Sequence, residues 1–185
     1  MFEEFFKQYP DYTIQEKPTN EIIEKYQNQL PEVLIAFWKE YGFGSFMDGY
    51  LKVVNPDEFA NILSDSYSPV YQNPIVMFAT GLSDLIIWEN NHTVLLDYRH
   101  GKSKVLESGL KYLFEDLTDS TYIDSDLLGK NFVAAKKRLG DLNFEESFGY
   151  VPLLGLGGAE KSENLDKVNL KVHISLISQT VGKIE

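Results

Sequence analysis

Residues 30–59, LPEVLIAFWKEYGFGSFMDGYLKVVNPDEF, restrict the fold more than any other stretch of the chain. Pro31 suits the start of a helix, where its missing N–H would have no partner anyway, and Gly42 suits the left-handed residue that closes one. Between them Val33, Leu34, Phe37, Trp38 and Tyr41 fall on one helical face, with Glu32, Lys39 and Glu40 off it, so that face belongs in a core. The glycines at 42, 44 and 49 let the chain reverse before a strand at 50–54. Asn55, Pro56 and Glu58 then supply a capping side chain, a first-turn proline and an acid three residues past the cap, which together begin a second helix.

The remaining segments extend this alternation. Phe2, Phe5, Phe6 and Tyr9 predict a short amphipathic helix stopped by Pro10, residues 11–19 read as a polar connector, and Asn20 caps a helix from Glu21. Strands follow at 75–80, 84–89 and 92–97, the last two joined through Asn90 and Asn91, which tolerate the positive φ of a tight hairpin. A further strand is expected at 102–106 after the His100–Gly101 turn. A helix at 109–117 turns Leu110, Leu113, Phe114 and Leu117 inward. Residues 125–139 read as one helix closed by Gly140, residues 141–148 as a connector, and the chain ends in a helix capped at Ser162 and closed by Gly182. Its apolar positions, from Leu165 and Val168 through Val172, Ile174, Leu176 and Ile177 to Val181, predict a broad buried face. The fold class is α+β, a mainly antiparallel sheet flanked by helices, with the C-terminal helices packed on the same body.

Charge narrows the possible partners. The 28 acidic against 17 basic residues leave a net charge of -11, which opposes binding to nucleic acid or an anionic membrane because phosphates require clustered Lys and Arg. A basic protein is the natural complement, although such acidity equally serves solubility. The absence of cysteine excludes disulfides, thiolate metal sites and cysteine nucleophiles. The start, MFEEFFKQYPDY, carries acids where a signal peptide carries Lys or Arg, and the apolar runs fall short of the roughly 20 residues of a membrane helix. A soluble cytoplasmic protein is expected.

Motifs for chemistry stop short of completion. Residues 155–162, GLGGAEKS, approach the phosphate-loop pattern, but Glu160 puts a side chain and a negative charge where a glycine must approach an anion. Gly101-Lys102-Ser103 lacks the first glycine, Leu96 standing in its place, and Ser83 lacks the closing glycine of a nucleophile elbow. His92, His100 and His173 have no metal-ligand spacing. No catalytic, cofactor or metal residue is therefore assigned. What remains is the acidic segment 115–126, in which Glu115, Asp116, Asp119, Asp124 and Asp126 surround Tyr122 and Ile123 with no base among them. It reads either as a solvated loop or as a docking surface, where charge speeds encounter and an exposed Tyr122 anchors the partner.

Two blocks carry a resemblance to known families: residues 30–59, quoted above, and FGYVPLLGLGGAEKSENLDKVNLKVHI at 148–174, with the strand pair around Ile87 and Trp88 between them. The chain resembles bacterial proteins that join a GAD-like domain, here 1–117, to the C-terminal domain of type VI secretion DNase-toxin immunity proteins, here 118–185. These families are similar in general plan to the SUKH superfamily. The resemblance implies an antitoxin that binds and neutralises a cognate toxin without catalysis; with the net charge of -11, the expected partner is a basic nuclease domain whose active site it occludes. Two rivals make different structural demands: a small-ligand sensor or regulatory module needs a deep pocket lined by Tyr and Trp, and a hydrolase needs His92 or His100 beside a serine or carboxylate in a cleft.

Overall fold

The computed structural model describes residues 2–185. Seven strands form one antiparallel sheet in chain order: β1 (Thr13–Glu16), β2 (Phe43–Phe46), β3 (Leu51–Val53), β4 (Ile75–Thr80), β5 (Leu85–Glu89), β6 (His92–Asp97) and β7 (Lys102–Ser108). Helices α1 (Glu3–Gln8), α2 (Asn20–Tyr26), α3 (Glu32–Tyr41) and α4 (Ala60–Ser66) interrupt the meander. After the sheet come α5 (Leu113–Asp116), α6 (Ser120–Ser125) and α7 (Phe132–Leu139), then a second two-stranded sheet of β8 (Glu146–Tyr150) and β9 (Leu165–Asn169), and finally α8 (Leu170–Val181). No helix among the described residues is long and apolar enough to cross a membrane.

Both faces of the sheet are covered. Ile86 and Leu95 point into an aromatic core built on Phe5, Phe37, Trp38, Phe46 and Phe114, whereas Leu85, Ile87, Val94 and Leu96 point the other way, toward Phe59, Leu63, Ile174 and Ile177 of the α4–α8 layer. The alternation is that of a pleated strand, but burial on both sides makes the central strands read as unbroken apolar runs. Phe37 stacks on Phe114 at 5.5 Å between ring centroids and takes the edge of Phe2 at 5.2 Å. Truncating Phe37 to Ala would cost about 3–5 kcal/mol through lost burial and the cavity left behind.

The organising stretch folds largely as its sequence dictates. Leu34, Ile35, Phe37 and Trp38 are the buried side of α3, Gly42 closes it at φ +79°, and the Asn55 side chain accepts from Asp57 N to start a 3-10 turn ahead of α4. Asn90 and Asn91 take φ of 49° and 60°, and the β5–β6 register runs through them from Glu89–His92 to Leu85–Leu96.

Several segments differ from expectation. The connector at 11–19 contains β1, an exposed edge strand paired with β2, and the expected glycine turn contains β2 itself. The helix expected at 109–117 is the single turn of α5, although all four of its inward residues are buried. The expected 125–139 helix is broken: Asp126 to Asn131 form a loop between α6 and α7, with Leu128 at φ 55°. The connector at 141–148 becomes β8, because Lys52 reaches across from β3 to donate to the carbonyls of Asn143, Phe144 and Glu146 and fixes that backbone. Ser162 caps no α-helix, since residues 165–169 pair with β8 and the final helix starts at the Asn169 cap. Only one side of α8 is buried; Val172, Leu176 and Val181 remain about half exposed.

The second sheet joins the first through backbone bonds, with Phe148 N donating to Gly81 O at 2.7 Å. A Cβ on Gly81 would sit 2.4 Å from the Phe132 ring, so glycine is what admits α7 to this junction.

Candidate functional site

The six acidic-segment candidates fall on two sides of the surface. Glu115 is exposed at the end of α5. Asp119 caps α6, accepting from Thr121 N and Oγ1 at 2.8 Å each, and these bonds hold its carboxyl below the ordinary value. Asp116, Tyr122 and Asp126 form one group beside β7. Burial, then the charges of Glu115, Asp126 and Asp119, push the Asp116 carboxyl up, while Lys104 Nζ at 2.6 Å from Asp126 holds that carboxyl down. Asp124 is exposed and lines a separate groove with Tyr50 and Val133.

The anchoring residues are less available than the sequence suggested. Tyr122 and Ile123 are half-buried and pack against the aromatic core; burial first, then Asp116, Asp126 and Glu107, push the Tyr122 hydroxyl up. The acidic surface is therefore a shallow rim of carboxylates over a packed floor. Tyr122 does not protrude from it. Asp126 contributes little net charge to it because Lys104 neutralises it.

A second group of ionisable residues lies where no motif marks it. Asp84, fully buried, accepts from Tyr98 N at 3.0 Å and from Arg99 Nε and Nη2 at 2.9 and 2.5 Å; Arg99 Nη1 continues to Leu128 O at 3.0 Å. Burial pushes the Asp84 carboxyl up against the pull of the guanidinium, whose own charge the two-bond pairing favours. The β5–β6 register was the signal available for this pair: Leu85 opposite Leu96 brings Asp84 beside residues 97–99. The pair fastens the α6–α7 loop to the sheet.

Next to it His100 bridges two segments, with Nδ1 2.8 Å from buried Asp97 and Nε2 3.2 Å from Glu160. The glutamate that spoils the phosphate-loop motif is thus the far end of this bridge. A cavity of about 440 Å³ opens beside His100, between Tyr98, Tyr150 and His173. His173 is 4% exposed and has no hydrogen-bond partner among the described residues; burial pushes its imidazole down. His100 meets the carboxylate condition set for a hydrolase, but its second nitrogen faces Glu160, which leaves no nucleophile at the position a triad would need. Ser83 lies elsewhere, buried and bonded to Ser147 Oγ at 2.6 Å, and His92 bonds Asn90 O. Among the described residues no cluster of three or more His, Cys, Asp or Glu is placed to hold a metal.

Two family models match parts of the chain. The family model of the GAD-like domain matches residues 1–97, and that of the T6SS immunity protein Tdi1, C-terminal, matches residues 107–181. No curated protein sequence matches. Among solved structures, the crystal structure of Atu4351 from Agrobacterium tumefaciens superposes with a TM-score of 0.76 at 19% identity, covering 97% of this chain and 89% of that one. The fold is α+β, a seven-stranded antiparallel sheet between helix layers, and that structure shares it.

Proposed function

Since the chain belongs to the GAD-like domain family and its C-terminal part matches a type VI secretion immunity protein, we propose that it is an immunity protein that binds and neutralises a cognate toxin. The match over residues 107–181 carries this reading. The toxin is a basic nuclease domain, and binding occludes its active site or substrate groove, with the carboxylates of Glu115, Asp116, Asp119 and Asp124 standing in for phosphate charge. Net charge of -11 supports a basic partner and opposes direct contact with nucleic acid or an anionic membrane. The protein acts in the cytoplasm, without catalysis, and divides near residues 117–118 into a GAD-like part and an immunity part that share one body. Co-expression with the cognate toxin is the test. Survival of the host and a complex on a sizing column are expected; death as fast as without the protein, with no complex, would contradict the proposal.

One observation favours a second reading. The cavity beside His173 combines two tyrosines with the imidazole of His173, a lining suited to a small ligand that regulates binding. It lacks the tryptophan expected of a sensor pocket. Thermal-shift screening of small metabolites would detect such a ligand, and a flat response across the set would remove this reading.

A further inference from the structure

A groove of about 450 Å³ runs between the segment after α1, the β2–β3 turn and the α6–α7 region, so both matched parts of the chain build it. Its floor is apolar: Met47, Tyr50 and Phe132 are buried there, with Ile123 half-buried beside them. Val133 stands on its wall at 75% exposure, the most exposed large apolar side chain among the described residues. Met47 and Asp48 both sit at positive φ, 55° and 59°, in a turn that sends the methionine inward and the aspartate to the rim.

The rim is acidic. Asp11, Asp48 and Asp124 line it, and the single cation there, Lys136, is already engaged by Asp48 at 2.9 Å and by Asp141 at 3.1 Å. Asp11 and Asp124 meet no cation in the described structure, so the groove is left with uncompensated negative charge around an apolar strip. That combination fits a lysine or arginine, whose aliphatic stem lies on apolar surface while its charged end reaches a carboxylate. Phosphate-bearing ligands are repelled by the same rim. A second copy of the chain, itself at -11, is opposed by like charge.

We propose that this groove, at the seam of the two parts, is the surface on which the partner protein docks a basic, amphipathic segment. This rests on the immunity reading and deepens it, moving the main contact from the outer acidic rim at α5–α6 to the side on which Asp124 faces. Asp124 is the residue common to both.

The experiment measures affinity for the catalytically inactivated toxin with the wild type, Val133→Arg, the double variant Asp11→Lys/Asp124→Lys, and Val151→Arg as an exposed control outside the groove. Both groove variants are expected to weaken binding about tenfold or more, as the loss of a central anchor does, while Val151→Arg binds as the wild type does. Unchanged thermal midpoints would show that the folds are intact. Equal affinity across all four proteins would overturn the groove and leave toxin binding standing. Should the wild type bind no toxin, the immunity reading fails, and a synthetic peptide alternating Lys and Leu then decides the groove: amide shifts confined to residues 9–11, 47–50 and 123–136 and abolished by Val133→Arg would support it, and their absence would overturn it.

Discussion

Aspartates do opposite work in two regions of this molecule. Asp84 is sealed at the start of the interior strand β5, where Arg99 and a backbone amide satisfy it, and the pair holds the α6–α7 loop in place. Asp124 and Glu115 stand in solvent with no cation against them, and removing them would disturb no packing. Buried charge is structural here, and exposed charge is free to meet another molecule. The difference lies in desolvation: a carboxylate inside must be fully paired or it destabilises the fold, whereas one outside contributes mainly long-range attraction.

Breaking the buried side should have the largest effect. Arg99→Leu leaves the buried Asp84 carboxyl without its partner, so that it must either stay ionised in an apolar site or take up a proton, and urea unfolding should register a loss of about 3–5 kcal/mol. A paired replacement, Asp84→Leu with Arg99→Leu, should recover a large part of that loss, because no orphaned charge remains.

Lys52 is the intermediate case. Burial pushes its ammonium down to about 8 even though three carbonyl oxygens favour the charged form. Between pH 8 and its ordinary 10.5 the unfolded chain holds a proton that the native chain has shed, so this group makes stability rise with pH across that window. Lys52→Met should remove the rise and, by leaving carbonyls unpaired, cost about 1–3 kcal/mol at neutral pH. Unfolding measured from pH 7 to 10.5 checks both.

His173 sharpens the comparison with a smaller effect. Its folded pKa lies below the ordinary 6.5, so its contribution is complete above 6.5 and is lost as pH falls below that value. His173→Phe should flatten stability in the acidic window by no more than about 1.4 kcal/mol per unit of pKa difference. Substituting the exposed acids comes last: Glu115→Lys with Asp124→Lys should leave the unfolding midpoint where it was.

The sequence carried this contrast only in part. Elements with local instructions were legible: the α3 face between Pro31 and Gly42, the Asn90–Asn91 hairpin, and the burial of Leu110, Leu113, Phe114 and Leu117. Elements created by pairing at a distance were not. β9 reads as helix because Leu165 and Val168 stand three apart, and only β8 across from them makes the segment a strand. β1 has a single apolar residue, the exposed Ile14, and β2 contains a glycine, so neither shows the alternation of a strand until paired. The acidic segment was visible as composition, but its split into an Asp116–Tyr122–Asp126 side and an Asp124 side depends on how α6 packs. The Asp84–Arg99 pair needed the hairpin register, which the sequence contained but which no motif advertised.

The most direct measurement is the association rate of the protein with the inactivated toxin proposed as its partner at low and high salt, for the wild type and for the triple variant Glu115→Lys/Asp119→Lys/Asp124→Lys. An immunity protein that meets a basic toxin through its exposed acids should bind more slowly as salt rises, and the triple variant should bind about tenfold more slowly at low salt and lose most of the salt dependence. Identical rates for both proteins at every salt concentration, or no association at all, would contradict the account.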